Sequence, residues 1–195
     1  MSVPKTVQDL LDILIENPII AAVRDKDALE RVVTSNVKVV FLLFGNIGDL
    51  EEQCARLRSA GKTIFLHVDL IDGLRPDAVG VRYIAEKMRP AGIITTKGSC
   101  VRMAHEAGMF AIQRVFLLDT SALRSGVQNV SSCKPDLAEI LPGVCDRALC
   151  LAKGQMPVPL IAGGLIYNKE DVITALRTGV IAVSTSSEEL WDMEE

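Results

Sequence analysis

Short apolar runs alternate with amphipathic stretches along the whole chain. Thr6 to Glu16 places Val7, Leu10, Leu11 and Leu14 on one helical stripe, behind a Thr6 cap with Asp9 three residues later. Pro18 then opens Ile19-Ile20-Ala21-Ala22-Val23, which is too short for a helix and too apolar for a half-exposed strand. It reads as a strand buried on both faces. Lys26 to Ser35 has Ala28, Leu29, Val32 and Val33 on one side, so a helix returns the chain to a second strand at Val37 to Phe44. The alternation goes on to predict a helix from Gly48 to Ala60, a strand at Thr63 to Val68, and a helix from Pro76 to Arg89. A strand at Gly92 to Thr96, a helix from Ser99 to Ala107 stopped by Gly108, and a strand at Phe110 to Leu117 follow. A shorter helix spans Ser121 to Val130, a charge-interrupted strand runs from Asp136 to Leu141, and Pro142-Gly143 separates it from a helix at Val144 to Lys153. Strands at Leu160 to Ala162 and Val180 to Val183 flank a helix that Asn168 caps and Gly179 closes, and Ser187 to Met193 forms a last short helix.

Eight strand–helix units with strands buried on both faces predict an α/β fold, a small (β/α)8 TIM-like barrel with a short N-terminal helix. An open doubly wound sheet is the alternative, and the count of eight favours closure. The 195 residues form one domain, 1–195, slightly below the usual barrel size, so the loops are short and none is long enough for a lid.

Composition narrows the setting. The formal net charge of -4 argues against a broad basic surface that grips nucleic acid nonspecifically, although local basic patches remain open. The five cysteines are an odd number and no two have the spacing of a zinc or redox pair, so they read as reduced, mostly buried thiols. No signal pattern and no membrane-length apolar run is present, which predicts a cytoplasmic protein without a membrane partner.

In a barrel the functional face lies at the carboxyl ends of the strands. The polar residues there are Arg24 and Asp25, Asn46, His67 and Asp69, Thr95 to Lys97, Gln113 and Arg114, Glu139, Gly163 and Gly164, and Ser184 to Ser186. Gly163-Gly164 lets backbone N–H groups approach an anion, and Ser184, Thr185 and Ser186 add hydroxyls before a helix N-terminus. The competing account is a tight turn plus a capping box between Ser186 and Glu189. Lys97 could form a Schiff base or hold a phosphate or hydroxyl by charge, and the second reading is preferred. His67 and Asp69 share a side of an extended strand and read as hydrogen-bonding pocket residues, or His67 is structural. The other histidine, His105, is remote, so no metal is expected. Glu139 interrupts an apolar strand and needs a cationic partner, with Arg114 the obvious one unless both face outward as a surface pair. No general acid–base pair, activated nucleophile or metal set stands out, which weakens an enzyme reading; no catalytic residue and no cofactor is assigned.

Beyond these general signals, the sequence resembles the glycerol uptake operon antiterminator regulatory proteins, also described as glycerol-3-phosphate responsive antiterminators. The matching motifs include Pro18 to Val23, Phe41 to Gly45, His67-Val-Asp-Leu-Ile-Asp-Gly73, Gly92-Ile-Ile-Thr-Thr-Lys97, Gln113-Arg114, Glu139 to Gly143, Ile161-Ala-Gly-Gly-Leu-Ile166, and Ala182 to Ser186 with Trp191. Ala91 and Val180 depart from the family pattern at strand entrances, where only packing is expected to change. The resemblance implies a barrel without turnover that senses glycerol 3-phosphate and binds the leader mRNA of glycerol-utilisation genes to prevent premature termination. It implies that Gly163, Gly164, Ser184, Thr185 and Ser186 take the phosphate, with His67, Asp69, Lys97, Arg114 and Glu139 forming the rest of the pocket. Any RNA contact must come from a local cluster, either Arg82, Lys87 and Arg89 or Arg24, Lys26 and Arg31, with an ordinary solvated helix face the competing account. Self-association into a homo-oligomer stays open. The alternative function is a phosphoglycerol or phosphosugar enzyme: an aldolase, an isomerase, or a prenyl transferase acting on a glycerol phosphate.

Overall fold

In a computed structural model that describes residues 4–193, eight parallel strands close into a barrel in chain order. The strands are β1 (Ile19–Val23), β2 (Val39–Leu42), β3 (Thr63–His67), β4 (Gly92–Thr95), β5 (Phe110–Phe116), β6 (Leu137–Leu141), β7 (Leu160–Gly163) and β8 (Ala182–Thr185). Closure is made by β8 pairing with β1, through Ile19 with Val183 and Ala21 with Thr185. The helices are α1 (Val7–Glu16), α2 (Lys26–Thr34), α3 (Leu50–Ser59), α4 (Ala78–Tyr83), α5 (Gly98–Glu106), α6 (Thr120–Cys133), α7 (Asp146–Lys153) and α8 (Lys169–Arg177).

Strand alternation divides the apolar residues into two cores. Ile20, Val39, Phe41, Phe65, Ile94, Ile112, Leu137, Ile161 and Ala182 fill the barrel interior together with Leu10 and Leu14 of α1. Helix α1, held by its Thr6–Asp9 capping box, therefore plugs the amino end of the barrel. Residues of opposite parity, such as Ala21, Val40, Leu66, Ile93, Ala111, Ala138, Ala162 and Val183, pack against the outer helices. With the lower interior filled by hydrocarbon, polar inward positions are left to the carboxyl end. Ala91 and Val180 are buried in these two cores, so both departures from the family pattern sit in packing positions.

Several boundaries differ from the sequence reading, for local reasons. Helix α6 is longer than Ser121 to Val130: Asp119 accepts the Ala122 N–H at 2.7 Å and starts it at Thr120, and it runs on to Cys133, where Lys134 in the left-handed region ends it. Strand β8 lies two residues later than Val180 to Val183, since its register is set by β1 rather than by where the apolar run begins. Helix α4 opens into a π-helical turn, Ile84–Met88, which ends at Arg89 in the left-handed region (φ 48°). The expected terminal helix from Ser187 to Met193 is a single 3-10 turn, Glu188–Leu190.

Candidate functional site

Three inward residues on β5, β6 and β8 meet across the top of the barrel. Arg114 Nε donates to Glu139 Oε2 at 2.6 Å, and Ser184 Oγ donates to Glu139 Oε1 at 2.5 Å. Glu139 is 1% exposed, so its charge is held in place by these two donors. To reach β8 its side chain crosses β7 at Gly163. A Cβ at Gly163 would lie 2.5 Å from Glu139 Oε1 and 2.6 Å from Ser184 Oγ. Gly163 thus makes room for a carboxylate of the protein itself, where the sequence reading had it admit a ligand anion.

Above this chain lies a cavity of about 440 Å³. Its lining includes Arg114, Glu139, Gly164, Ser184, Thr185 and Ser186, with Arg24 at one side and Phe116, Leu118, Leu165 and Tyr167 towards the opening. Gly163, His67, Asp69 and Lys97 are not part of that lining. The β7–α8 connection shapes its edge through two successive left-handed residues, Gly164 (φ 82°) and Leu165 (φ 62°). A leucine there carries a cost of roughly 1–2 kcal/mol, which the surrounding bonds offset. Thr185 Oγ1 donates to Ile166 O at 2.7 Å and accepts the Ser187 N–H at 3.0 Å. The Thr185 hydroxyl therefore anchors the connection to β8.

The 3-10 turn after Ser187 is too short for a helix dipole to attract an anion, and it has no side-chain cap bond, so neither the helix N-terminus nor the Ser186–Glu189 capping box is found. Arg24 is the other cation at the cavity. It is exposed, lines the cavity and makes no ion pair among the described residues.

The opposite side of the mouth is organised around Asp69. Strand β3 ends at His67 and Val68–Leu70 form a 3-10 turn, so the strand alternation that would align His67 with Asp69 stops there. Asp69 turns towards β4, where Oδ2 accepts the Thr96 N–H at 2.7 Å and the Thr96 hydroxyl at 2.9 Å, and the Thr95 hydroxyl lies 3.2 Å away. Lys97 Nζ is 3.7 Å from Asp69 Oδ1, so its charge meets a carboxylate of the protein itself. His67 is 3% exposed and its Nδ1 has no partner. Burial, reinforced by the nearby Arg114 guanidinium, pushes its pKa down to about 4 against the opposing pull of Asp69 and Glu139, so the ring is neutral at pH 7.

Two other expectations resolve outside the mouth. Gln113 points into the helix layer and accepts from Cys133 Sγ at 2.8 Å. His105 pairs with Asp136 at 2.9 Å at the start of β6, away from the carboxyl ends. All five cysteines are free: Cys54, Cys100 and Cys133 are buried, Cys145 is half-buried and Cys150 exposed, and burial raises the Cys54 thiol to about 12, as suits an inert core position. Among the described residues no helix is long and apolar enough to cross a membrane.

Fold and site together define a (β/α)8 barrel with a small-molecule cavity at the carboxyl ends of its strands. Within that class the chain belongs to the glycerol-3-phosphate responsive antiterminator family, whose model matches residues 19–191. It is 32% identical to the glycerol uptake operon antiterminator regulatory protein of Listeria monocytogenes; the match covers 90% of this chain and 95% of that one, with a TM-score of 0.87. A glycerol uptake operon antiterminator-related protein of Thermotoga maritima is 31% identical, with 91% and 99% covered and a TM-score of 0.80. The chain is also 35% identical over 184 residues to the uncharacterised protein YgcP of Escherichia coli, covering 94% of this chain and 96% of the relative.

Proposed function

We propose that this protein is a cytoplasmic transcription antiterminator, one domain over 1–195, that binds glycerol 3-phosphate in the cavity above Arg114, Glu139 and Ser184 and then binds the leader mRNA of glycerol-utilisation genes. The observation that carries the ligand part is the pairing of an unpartnered cation, Arg24, with a cavity whose floor is polar and whose walls are apolar. In this reading the phosphate lies between Arg24, the backbone N–H groups of Gly164 and Leu165, and Ser186. The glycerol hydroxyls meet Glu139, Ser184 and the free guanidinium nitrogens of Arg114. Gly163, Thr185, His67, Asp69 and Lys97 shape and support the mouth. The polar groups of the floor are bonded to one another, and the Glu139 carboxylate that faces the Ser184 hydroxyl is also held by Arg114, an arrangement suited to recognition.

Ligand binding matters to RNA only if it favours an RNA-competent conformation or oligomer over another state. A gel shift with glycerol-operon leader RNA at fixed salt, with and without glycerol 3-phosphate, tests this. The expected result is a shift that requires the ligand. Binding that ignores the ligand would contradict sensing, and turnover of glycerol 3-phosphate by the purified protein would favour the enzyme reading instead.

A further inference from the structure

The α4 side of the barrel carries a second concave surface, away from the ligand cavity. A groove of about 300 Å³ is walled by Ile47, Leu74, Val79 and Tyr83, with Arg75 and its ion-pair partner Asp77, 3.3 Å away, at its edge. Its walls are structured. Asn46 and Asp72 form a parallel bridge that carries the β2–β3 pairing outward. Ile47 N–H donates to Asp72 O at 3.0 Å, and Asp72 N–H donates to Gly45 O at 2.9 Å. Gly80 lets the β3–α4 connection lie directly on the helix, because a Cβ there would run into the Arg75 carbonyl oxygen. Two large side chains stay open to solvent in this groove, Val79 at 78% and Tyr83 at 38%.

Arg82, just before Tyr83, lies against α5 beside Met103 and Glu106, while beyond Tyr83 the π-helical turn presents Lys87 and Arg89; all three cations are exposed. None of the three makes an ion pair among the described residues. Arg58 of α3 donates to Met88 O at 2.5 Å and Arg89 O at 3.2 Å, which fixes the end from which Lys87 and Arg89 project. Residues 78–89 hold three cations and one anion, Glu86, in a chain whose formal net charge is -4. Cations near a helix C-terminus also satisfy its dipole, but the dipole does not explain an open apolar groove with an aromatic wall beside them.

We infer that this groove takes an unpaired nucleotide of RNA, with the base against Tyr83 and Val79 and the adjoining phosphates along Lys87 and Arg89. The inference rests on the antitermination reading and names its RNA surface. Unpaired bases stack on aromatic side chains whatever their identity, and flanking cations follow the backbone. The groove is also tied to the barrel mouth: the connection that forms its wall starts at Asp69, which holds Thr96 and Lys97. A ligand-driven shift at the mouth therefore has a short covalent path to the groove.

Fluorescence anisotropy with a fluorescein-labelled single-stranded leader segment, at saturating glycerol 3-phosphate, tests the assignment. Tyr83→Ala is expected to weaken RNA binding about tenfold or more, and Tyr83→Trp to retain it. The double variant Lys87→Gln/Arg89→Gln is expected to flatten the slope of log affinity against log salt by about 1.4, at roughly 0.7 per lost contact. All three should keep the wild-type thermal stabilisation by glycerol 3-phosphate, which shows that they fold. If the wild type binds RNA and both Tyr83→Ala and the double variant bind it equally well, the groove assignment is overturned and antitermination stands. If the wild type binds no RNA, both are overturned.

Discussion

The two sides of the barrel mouth use the same kinds of residue to opposite ends. On the β3–β4 side Asp69 is surrounded by the donors of Thr95, Thr96 and Lys97, and its hydrogen bonds close the surface. On the β5–β8 side Glu139 takes one bond from Arg114 and one from Ser184, and a cavity of about 440 Å³ opens above them. A carboxylate that is fully satisfied by its neighbours is a structural rivet. A carboxylate–guanidinium pair with donor capacity left over, beside an open cavity, is equipped to recognise a ligand.

The largest effect that separates the two sides is expected at Glu139. Glu139→Ala leaves the Arg114 guanidinium, whose side chain is 10% exposed, without its counter-charge, and should cost about 3–5 kcal/mol in urea unfolding. A loss below about 1 kcal/mol would mean that water already reaches Arg114, and the proposed floor would not be a buried one. Next comes His67, which stands between the two sides. Above about pH 6.5 the ring is neutral in both folded and unfolded chains. As the pH falls the unfolded chain takes up the proton first, because the folded pKa is pushed down to about 4. Stability is therefore lost progressively between about pH 6.5 and 4, by up to about 3 kcal/mol, and His67→Gln should remove that part of the pH dependence. Identical pH profiles for the two proteins would show that the ring is solvated.

Asp69→Asn tests the rivet. It weakens the bonds from Thr95 and Thr96 and should cost about 1–3 kcal/mol while leaving stabilisation by glycerol 3-phosphate in place. Loss of the ligand effect without loss of stability would put Asp69 in the binding site and erase the contrast. Lys97→Ala should do least. Its side chain is 54% exposed and its ion pair 3.7 Å long, so a change within about 1 kcal/mol in thermal unfolding is expected.

The fold was legible because its strands are continuous apolar runs, and burial on both faces leaves few arrangements besides a parallel barrel. The Arg114–Glu139 pair was legible for a related reason: a charge inside an apolar strand demands a partner, and the register sets Arg114 directly opposite Glu139. The part played by Gly163 was hidden. It depends on Glu139 reaching over β7 to Ser184, which follows from the alignment of three strands and from no local motif. The bond made by Thr185 was hidden too: three consecutive hydroxyl residues look alike in sequence, whereas the folded chain turns the middle hydroxyl to the Ile166 carbonyl. Arg24 was visible at a strand end, but only the closed barrel brings it beside Gly164 and Ser186.

The most direct test of the cavity as the effector site is a calorimetric titration of glycerol 3-phosphate into the wild type and into Arg24→Ala, with glycerol as the control ligand. Arg24 is exposed and has no structural partner, so its removal should leave folding intact. The account predicts that the wild type binds glycerol 3-phosphate but not glycerol, and that Arg24→Ala weakens binding at least about tenfold, as expected for a lost charge-assisted contact of roughly 1.5 kcal/mol or more. No binding by the wild type, or binding that Arg24→Ala leaves unchanged, would contradict it.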